Sequence, residues 1–165
     1  MKLELPLFTM WLTLLVGLAA CNRAAILPLP NPPPSPSAVK TEIKITYPSE
    51  GATVQQTESV KGTSQAIPDG HTIWVVVFIP TVGRYYPQNY PASGQPNGNW
   101  SSIAYLGVEK DAGLRFEILA VLANNNAQAA FNNYLKDARD KKSYPGLEQL
   151  PKEAVIYDRI TVTRR

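Results

Sequence analysis

The strongest restriction on the fold comes from residues 72–79, where one threonine is followed by seven apolar residues and Pro80 ends the run. β-Branched and aromatic side chains of this kind favour an extended strand. Because polar and apolar residues do not alternate, both faces of the strand are expected to be covered by other layers. The run therefore predicts a layered, mostly β domain.

Other strands are predicted where short apolar patterns are separated by turn residues. They lie at 43–47, 54–63, 99–106, 114–123 and 155–163. Residues 109–113 have the composition of a hairpin turn. About six short strands separated by turns indicate an antiparallel sandwich of two sheets. Two strands supply residues of one parity that we expect to meet in the core between the sheets: Trp74, Val76, Phe78, Phe116, Ile118 and Ala120.

One helix is predicted before the last strand, at residues 127–142. Its apolar residues recur at helical spacing, namely Ala127, Ala130, Phe131, Tyr134, Leu135 and Ala138. Asn126 is a suitable N-cap, and Tyr144-Pro145-Gly146 would end the helix. We expect the helix to lie over the sandwich, with Phe131 and Tyr134 as packing residues.

The N-terminus carries an export pattern. An apolar run at 12–17 precedes Leu18-Ala19-Ala20-Cys21, whose cysteine is the only one in the chain. This resembles the lipobox of bacterial lipoproteins, which implies a signal peptide at 1–20 and acyl groups, including palmitate, on Cys21. An ordinary cleaved signal or an uncleaved anchor is the alternative, although 5–20 is shorter than the roughly 20 apolar residues of a spanning helix.

The resemblance also implies a location. The protein would be held by lipid on the extracytoplasmic side of the cell membrane or outer membrane, and Asn22 after the cysteine favours the outer membrane. Residues 21–39 hold the acylated cysteine and a Pro-rich linker, which predicts a stiff stalk. A Pro-rich ligand for another protein is the alternative. Residues 40–165 have the size of one domain.

The start of this domain resembles a known family. The segments ITYPSEGATV at 45–54 and VKGTS at 60–64 are similar to the opening of bacterial immunoglobulin-like domains of extracellular proteins. The resemblance implies a Greek-key sandwich of two sheets that serves as a spacer, adhesion or carbohydrate-recognition module. The fold expected is thus an antiparallel immunoglobulin-like sandwich with one helix inserted before the last strand.

Catalytic and metal-binding patterns are scarce. The domain has no cysteine and one histidine, His71, so the sequence predicts no zinc site, no thiol nucleophile and no cofactor. Lys and Arg number 16 against 13 Asp and Glu and are spread along the chain, which argues against nucleic acid as a partner. Paired carboxylates would suit a small glycosidase. The acids available for such a pair are Glu109, Asp111, Glu117 and Asp158.

The segment 81–100 is the candidate binding region. It is long, punctuated by Pro and Gly, and rich in aromatic and amide side chains that suit sugar rings or a protein surface. The candidate ligand-binding residues are Tyr85, Tyr86, Tyr90 and Trp100, although Trp100 would also serve as a core tryptophan. A binding module should expose the tyrosines in one contiguous patch.

The function expected is that of a lipid-anchored cell-envelope protein with a non-catalytic binding or adhesion module, whose ligand is a carbohydrate or a protein. The alternative is a structural or assembly lipoprotein that docks onto a larger envelope complex. A small glycosidase-like enzyme is the third hypothesis.

Overall fold

The computed structural model describes residues 40–94 and 96–165. The predicted signal peptide at 1–20, Cys21 and the Pro-rich linker lie outside the described residues. The described elements are nine strands and one α-helix: β1 Glu42–Tyr47, β2 Thr53–Val54, β3 Thr57–Gln65, β4 Thr72–Ile79, β5 Arg84–Pro87, β6 Ser93–Gly94, β7 Gly98–Tyr105, β8 Arg115–Ala123, α1 Asn125–Lys141 and β9 Ala154–Arg164.

The strands form two sheets. The first sheet has the order β1-β3-β7-β6 and the second has the order β2-β9-β8-β4-β5. Neighbouring strands described here are antiparallel, except that β2 runs parallel to β9. The prediction of a mostly β domain with one helix before the last strand is therefore confirmed.

One apolar core lies between the sheets. The first sheet contributes Ile43, Val60, Trp100 and Ala104, and the second contributes Ile73, Val75, Val77, Phe116, Ile118, Ala120, Ile160 and Val162. Small and β-branched residues dominate, as expected where two pleated surfaces interdigitate. This core joins the two sheets into one layered structure.

A second core covers the outer face of the second sheet. There α1 buries Ala127, Phe131 and Leu135 against side chains of β4 and β8. The ring centroids of Phe131 and Trp74 are 5.1 Å apart. β4 is thus covered on both faces, which confirms the expectation drawn from its unbroken apolar run.

The predicted single core of six residues is wrong in part. Phe116, Ile118 and Ala120 lie between the sheets, but Trp74, Val76 and Phe78 face α1 on the opposite side. The inward residues of β4 are Ile73, Val75 and Val77. Since both faces of β4 are apolar, its sequence carries no signal that distinguishes them.

Two local predictions also need correction. The helix begins earlier than predicted, because the side chain of Asn124, and not Asn126, accepts hydrogen bonds from the backbone N–H groups of Asn126 and Ala127. Residues 109–113 do not make a hairpin, since β7 and β8 belong to different sheets. Glu109–Asp111 form a short 3-10 turn within that crossing. Asparagine is a suitable N-cap at either position. Turn residues suit a crossing between two sheets as well as a hairpin.

Among the described residues, no helix is both long enough and apolar enough to cross a membrane.

Candidate functional site

A cavity of about 450 Å³ opens beside β5, where the end of β7, the C-terminal half of α1 and the segment after α1 come together. Its volume is in the range of small-ligand sites. Four of its lining side chains are tyrosines: Tyr86, Tyr105, Tyr134 and Tyr144. The remaining lining residues are Val77, Ile79, Pro87, Gln88, Asn89, Gly107, Val108, Asp111 and Leu135. We call this space the tyrosine cavity.

The segment after α1 closes one side of the cavity because it pairs with β5. The backbone N–H of Tyr85 donates to the carbonyl of Leu147 at 2.9 Å, and the N–H of Leu147 donates back to Tyr85 at 2.8 Å. Lys142 ends the helix in a left-handed conformation, which turns the chain toward β5. The pairing therefore brings Tyr144 into the same cavity lining as Tyr86 of β5 and Tyr134 of α1.

Gly146 is required at the centre of this contact. Its φ of +72° is unfavourable for other residues, and a Cβ there would lie 2.8 Å from the ring of Tyr86 and 2.8 Å from Cβ of Arg84. The N–H of Gly146 donates to the hydroxyl oxygen of Tyr134 at 3.2 Å. Tyr86 and Tyr134 are thus held against the same glycine.

Gln88 fixes the opposite wall. Its buried side chain donates to the carbonyl of Tyr86 at 2.9 Å and accepts from the N–H of Tyr105 at 2.8 Å. The amide therefore bridges an edge strand of the second sheet and the end of a strand of the first sheet. Buried polar groups satisfied in this way restrict the conformation of the backbone that carries them. The backbone of Tyr86 and the backbone of Tyr105 are consequently held in place.

The tyrosines differ in exposure. Tyr105 and Tyr144 are 50% and 53% exposed, so they form the rim, whereas Tyr86 and Tyr134 are half-buried and lie deeper. Burial raises the pKa of the Tyr134 phenol above its ordinary value, and the hydrogen bond from Gly146 opposes that shift. At neutral pH this phenol is un-ionised and keeps its hydroxyl proton.

Asp111 and Asn89 add polar groups to the lining. Oδ2 of Asp111 accepts a hydrogen bond from the N–H of Val108 at 2.8 Å, which fixes the carboxylate at the 3-10 turn. The amide of Asn89 both donates and accepts hydrogen bonds. The cavity thus combines flat aromatic faces with a carboxylate and an amide.

The structure separates the four predicted ligand-binding residues. Tyr86 lines the tyrosine cavity, while Tyr85 points to the other face of β5 and its ring centroid lies 4.6 Å from that of Phe78. Tyr90 is 76% exposed and does not line this cavity. Trp100 is 3% exposed, and its Nε1 donates to the carbonyl of Thr63 at 3.1 Å. The four residues do not form one exposed patch, so the contiguous tyrosine patch expected of a binding module in this segment is not found.

Trp100 has the alternative role considered for it, that of a core tryptophan. Its indole lies over Gly62, where an added Cβ would overlap the ring and the carbonyl oxygen of Lys44. Its indole is therefore almost completely removed from solvent. The binding role of Tyr86 stays a prediction.

Three tyrosines of the cavity were not identified from the sequence as site residues. Tyr105 ends a strand, Tyr134 was assigned to packing, and Tyr144 was assigned to the end of the helix. They are distant in sequence from Tyr86, so no local pattern links them. Ile103 and Tyr105 alternate with buried residues and so lie on the otherwise polar face of β7. This position was the one available signal for an exposed aromatic residue.

Two of the four acids proposed for a glycosidase have other partners. Oε2 of Glu117 lies 2.9 Å from Nη1 of Arg159, and Oδ2 of Asp158 accepts from the N–H of Ile45 at 2.7 Å. Nδ1 of His71 lies 3.0 Å from the carbonyl oxygen of Asp69, within its own turn. In residues 40–94 and 96–165, no three His, Cys, Asp or Glu side chains cluster in a way that could hold a metal ion.

No protein-family model matches the chain, and a search of curated proteins finds no match either.

Proposed function

We propose that this chain is a lipid-anchored bacterial cell-envelope protein whose domain is a non-catalytic binding module with an immunoglobulin-like fold. The observation that carries the binding role is the tyrosine cavity. Its walls are held by Gln88 and by the pairing of Tyr85 with Leu147, so its shape exists before any ligand arrives. Preformed concave sites with aromatic walls and a few polar groups are typical of ligand binding.

The strand order supports the immunoglobulin-like assignment. In the lettering used for that fold, β1-β3-β7-β6 corresponds to A-B-E-D, and β9-β8-β4-β5 corresponds to G-F-C-C′. The short strand β2 then takes the place of an A strand that has crossed to the second sheet. α1 lies in the connection between F and G and covers β4 and β8 on the outer face of the second sheet.

The lining of the cavity favours binding over hydrolysis. Among the described lining residues, Asp111 is the one acid, whereas hydrolysis of a glycosidic bond generally uses two carboxyl groups. Glu117 is paired with Arg159. This is why the enzyme hypothesis ranks below the binding module.

The lipid anchor is supported by the sequence pattern alone, since Cys21 lies outside the described residues. Replacing Cys21 by alanine is expected to abolish acylation and to release the protein from the membrane fraction. The domain at 40–165 should still fold, because it contains no cysteine. Membrane fractionation and intact mass measure the two effects. An unchanged mass and membrane fraction in Cys21→Ala would contradict the lipoprotein assignment.

The binding role predicts that rim tyrosines carry affinity. Tyr105→Ala or Tyr144→Ala in the immobilised full-length chain should weaken capture of an envelope component by about 1 to 3 kcal/mol, as aromatic anchors at binding sites do. Both residues are half exposed, so the melting temperature should change little. Capture from solubilised envelope, followed by quantitation of bound glycan and protein, measures the effect.

Tyr90→Ala is the matched control, because Tyr90 is an exposed tyrosine outside the cavity. It should leave capture unchanged. Equal losses in all three variants would mean that the cavity is not the site. Capture that none of them changes would favour the structural or assembly role.

A further inference from the structure

We infer that the tyrosine cavity accepts an uncharged, hydroxyl-rich sugar ring and rejects anionic ligands; this inference rests on the proposed binding function and specifies its ligand class. Three properties of the lining support this inference: the placement of the aromatic rings, the free polar groups, and the sign of the charge.

The aromatic rings suit the apolar face of a sugar. Tyr105 and Tyr144 are half exposed at the rim, on elements that the fold brings together from distant parts of the sequence. A tyrosine ring supplies a flat apolar face with a polar tip. A pyranose also combines an apolar and a polar surface, with C–H groups on its faces and hydroxyl groups on its edge. Aromatic rings at the rim match the apolar face of the sugar, and phenol hydroxyls deeper in the cavity match its polar edge.

The polar groups that remain free suit hydroxyl groups. Gln88 is already committed to two backbone groups, so it is not available to a ligand. Asp111 uses Oδ2 for the N–H of Val108, and its other oxygen remains to accept from a hydroxyl. Asn89 supplies one donor group and one acceptor. A hydroxyl both donates and accepts, so one sugar can satisfy both residues.

The charge of the lining disfavours anions. Among the described lining residues, Asp111 is the only charged side chain, although the chain as a whole carries a net charge of +3. Arg84 is nearby in β5, but its Nη1 lies 2.8 Å from Oε1 of Glu148. A carboxylate, sulfate or phosphate in the cavity would face Asp111 without a compensating cation, and like charges repel.

A quaternary ammonium ligand is one competing ligand class, because tyrosine rings and a carboxylate also attract such cations. A quaternary ammonium group has no O–H or N–H, so it cannot use Asn89 or the phenol oxygens as hydrogen-bond partners. The directional polar groups of the cavity therefore favour the sugar.

The test uses the full-length chain, purified in detergent, on an array of oligosaccharides of matched length. The array holds neutral hexose polymers, N-acetylated amino-sugar polymers and uronic-acid polymers, and choline is added as a soluble competitor at neutral pH. We expect binding to one or more uncharged polymers, with at least tenfold weaker binding to uronic acids of the same length. Binding led by uronic acids, or displaced by choline, would overturn the inference.

Two variants, with Tyr90→Ala as a control, test separately the contribution of the aromatic rings and the contribution of the charge of Asp111. Tyr144→Ala should lower binding to the uncharged polymer at least tenfold, whereas Tyr90→Ala should not change it. Asp111→Asn keeps an oxygen for the N–H of Val108 and removes the charge, so it should narrow the preference for uncharged over uronic-acid polymers at least threefold. An unchanged preference would refute the role assigned to the charge of Asp111.

The outcome also distinguishes this inference from the function on which it rests. If Tyr144 is needed for capture of an envelope protein while no array sugar binds, the binding module stands and the sugar inference fails. If neither capture nor sugar binding depends on Tyr105 or Tyr144, both proposals fail.

Discussion

Replacing Phe116 by alanine is expected to lower the free energy of unfolding by about 3 to 5 kcal/mol, the usual cost of emptying a buried aromatic site. Phe116 is 0% exposed and lies in the core between the two sheets. It pairs with Val162 of β9, so the cavity left by the ring would lie between well-ordered strands that cannot collapse into it. Urea unfolding followed by tryptophan fluorescence measures the loss.

Phe78→Ala is the matched control for Phe116→Ala. Phe78 lies in β4, on the face that α1 covers, is only partly buried and contacts Tyr85. Its replacement should cost clearly less, because part of the ring is already in contact with water. A loss below about 1 kcal/mol for Phe116→Ala would place Phe116 outside the core, and an equal loss in both variants would contradict the expected difference in burial between Phe116 and Phe78.

Much of the β structure was predictable because it depends on local patterns. Arg115 and Glu117, the polar residues beside Phe116, indicated which face of the first half of β8 points inward. The proline after Ile79 marked the end of β4. The helical spacing of Phe131, Leu135 and Ala138 identified the buried face of α1, and all three residues are buried.

Which face of β4 points into the core between the sheets was not predictable. The unbroken apolar sequence that identified the strand is also the reason that its two faces look alike. A run that is apolar at every position minimises its exposure in either orientation, so parity carries no information. Its orientation is decided by the partner strand: Val75 is opposite Ala120 and Val77 is opposite Ile118, which puts Trp74 toward the helix. Such pairing is a property of the tertiary structure.

The candidate site was predictable only in composition. The tyrosines near residues 85–90 include one lining residue of the cavity, Tyr86, but the cavity also needs a strand end, a helix and the segment after the helix. Trp100 belonged to the core because Gly62 leaves room for its indole on the facing strand. A site assembled across two sheets has no sequence spacing that could reveal it.

The helix links the fold to the proposed site. α1 begins directly after β8 and packs on the outer face of the second sheet, so its register fixes where Tyr134 stands relative to Tyr86. Leu135, one residue further, is buried in the same interface and also lines the cavity. The packing of α1 is therefore a condition for the shape of the tyrosine cavity.

Replacing Phe131 by alanine is expected to show this dependence, with a loss of about 3 to 5 kcal/mol in the free energy of unfolding. Phe131 is 0% exposed and its ring centroid lies 5.1 Å from that of Trp74, so it is the central contact between α1 and the sheet. Because Tyr134 follows it by one helical turn, any displacement of the helix moves the wall of the cavity. Urea unfolding measures the stability, and capture of the envelope component measures the site.

Asn132→Ala is the control for Phe131→Ala, since Asn132 is the next residue of the same helix and is exposed. It should change neither stability nor capture by a measurable amount. In Phe131→Ala, stability should fall and capture should weaken even at temperatures where the protein remains folded. A fully folded Phe131→Ala protein with unchanged capture would show that the position of α1 does not control the cavity, and the binding site would then have to lie elsewhere on the domain.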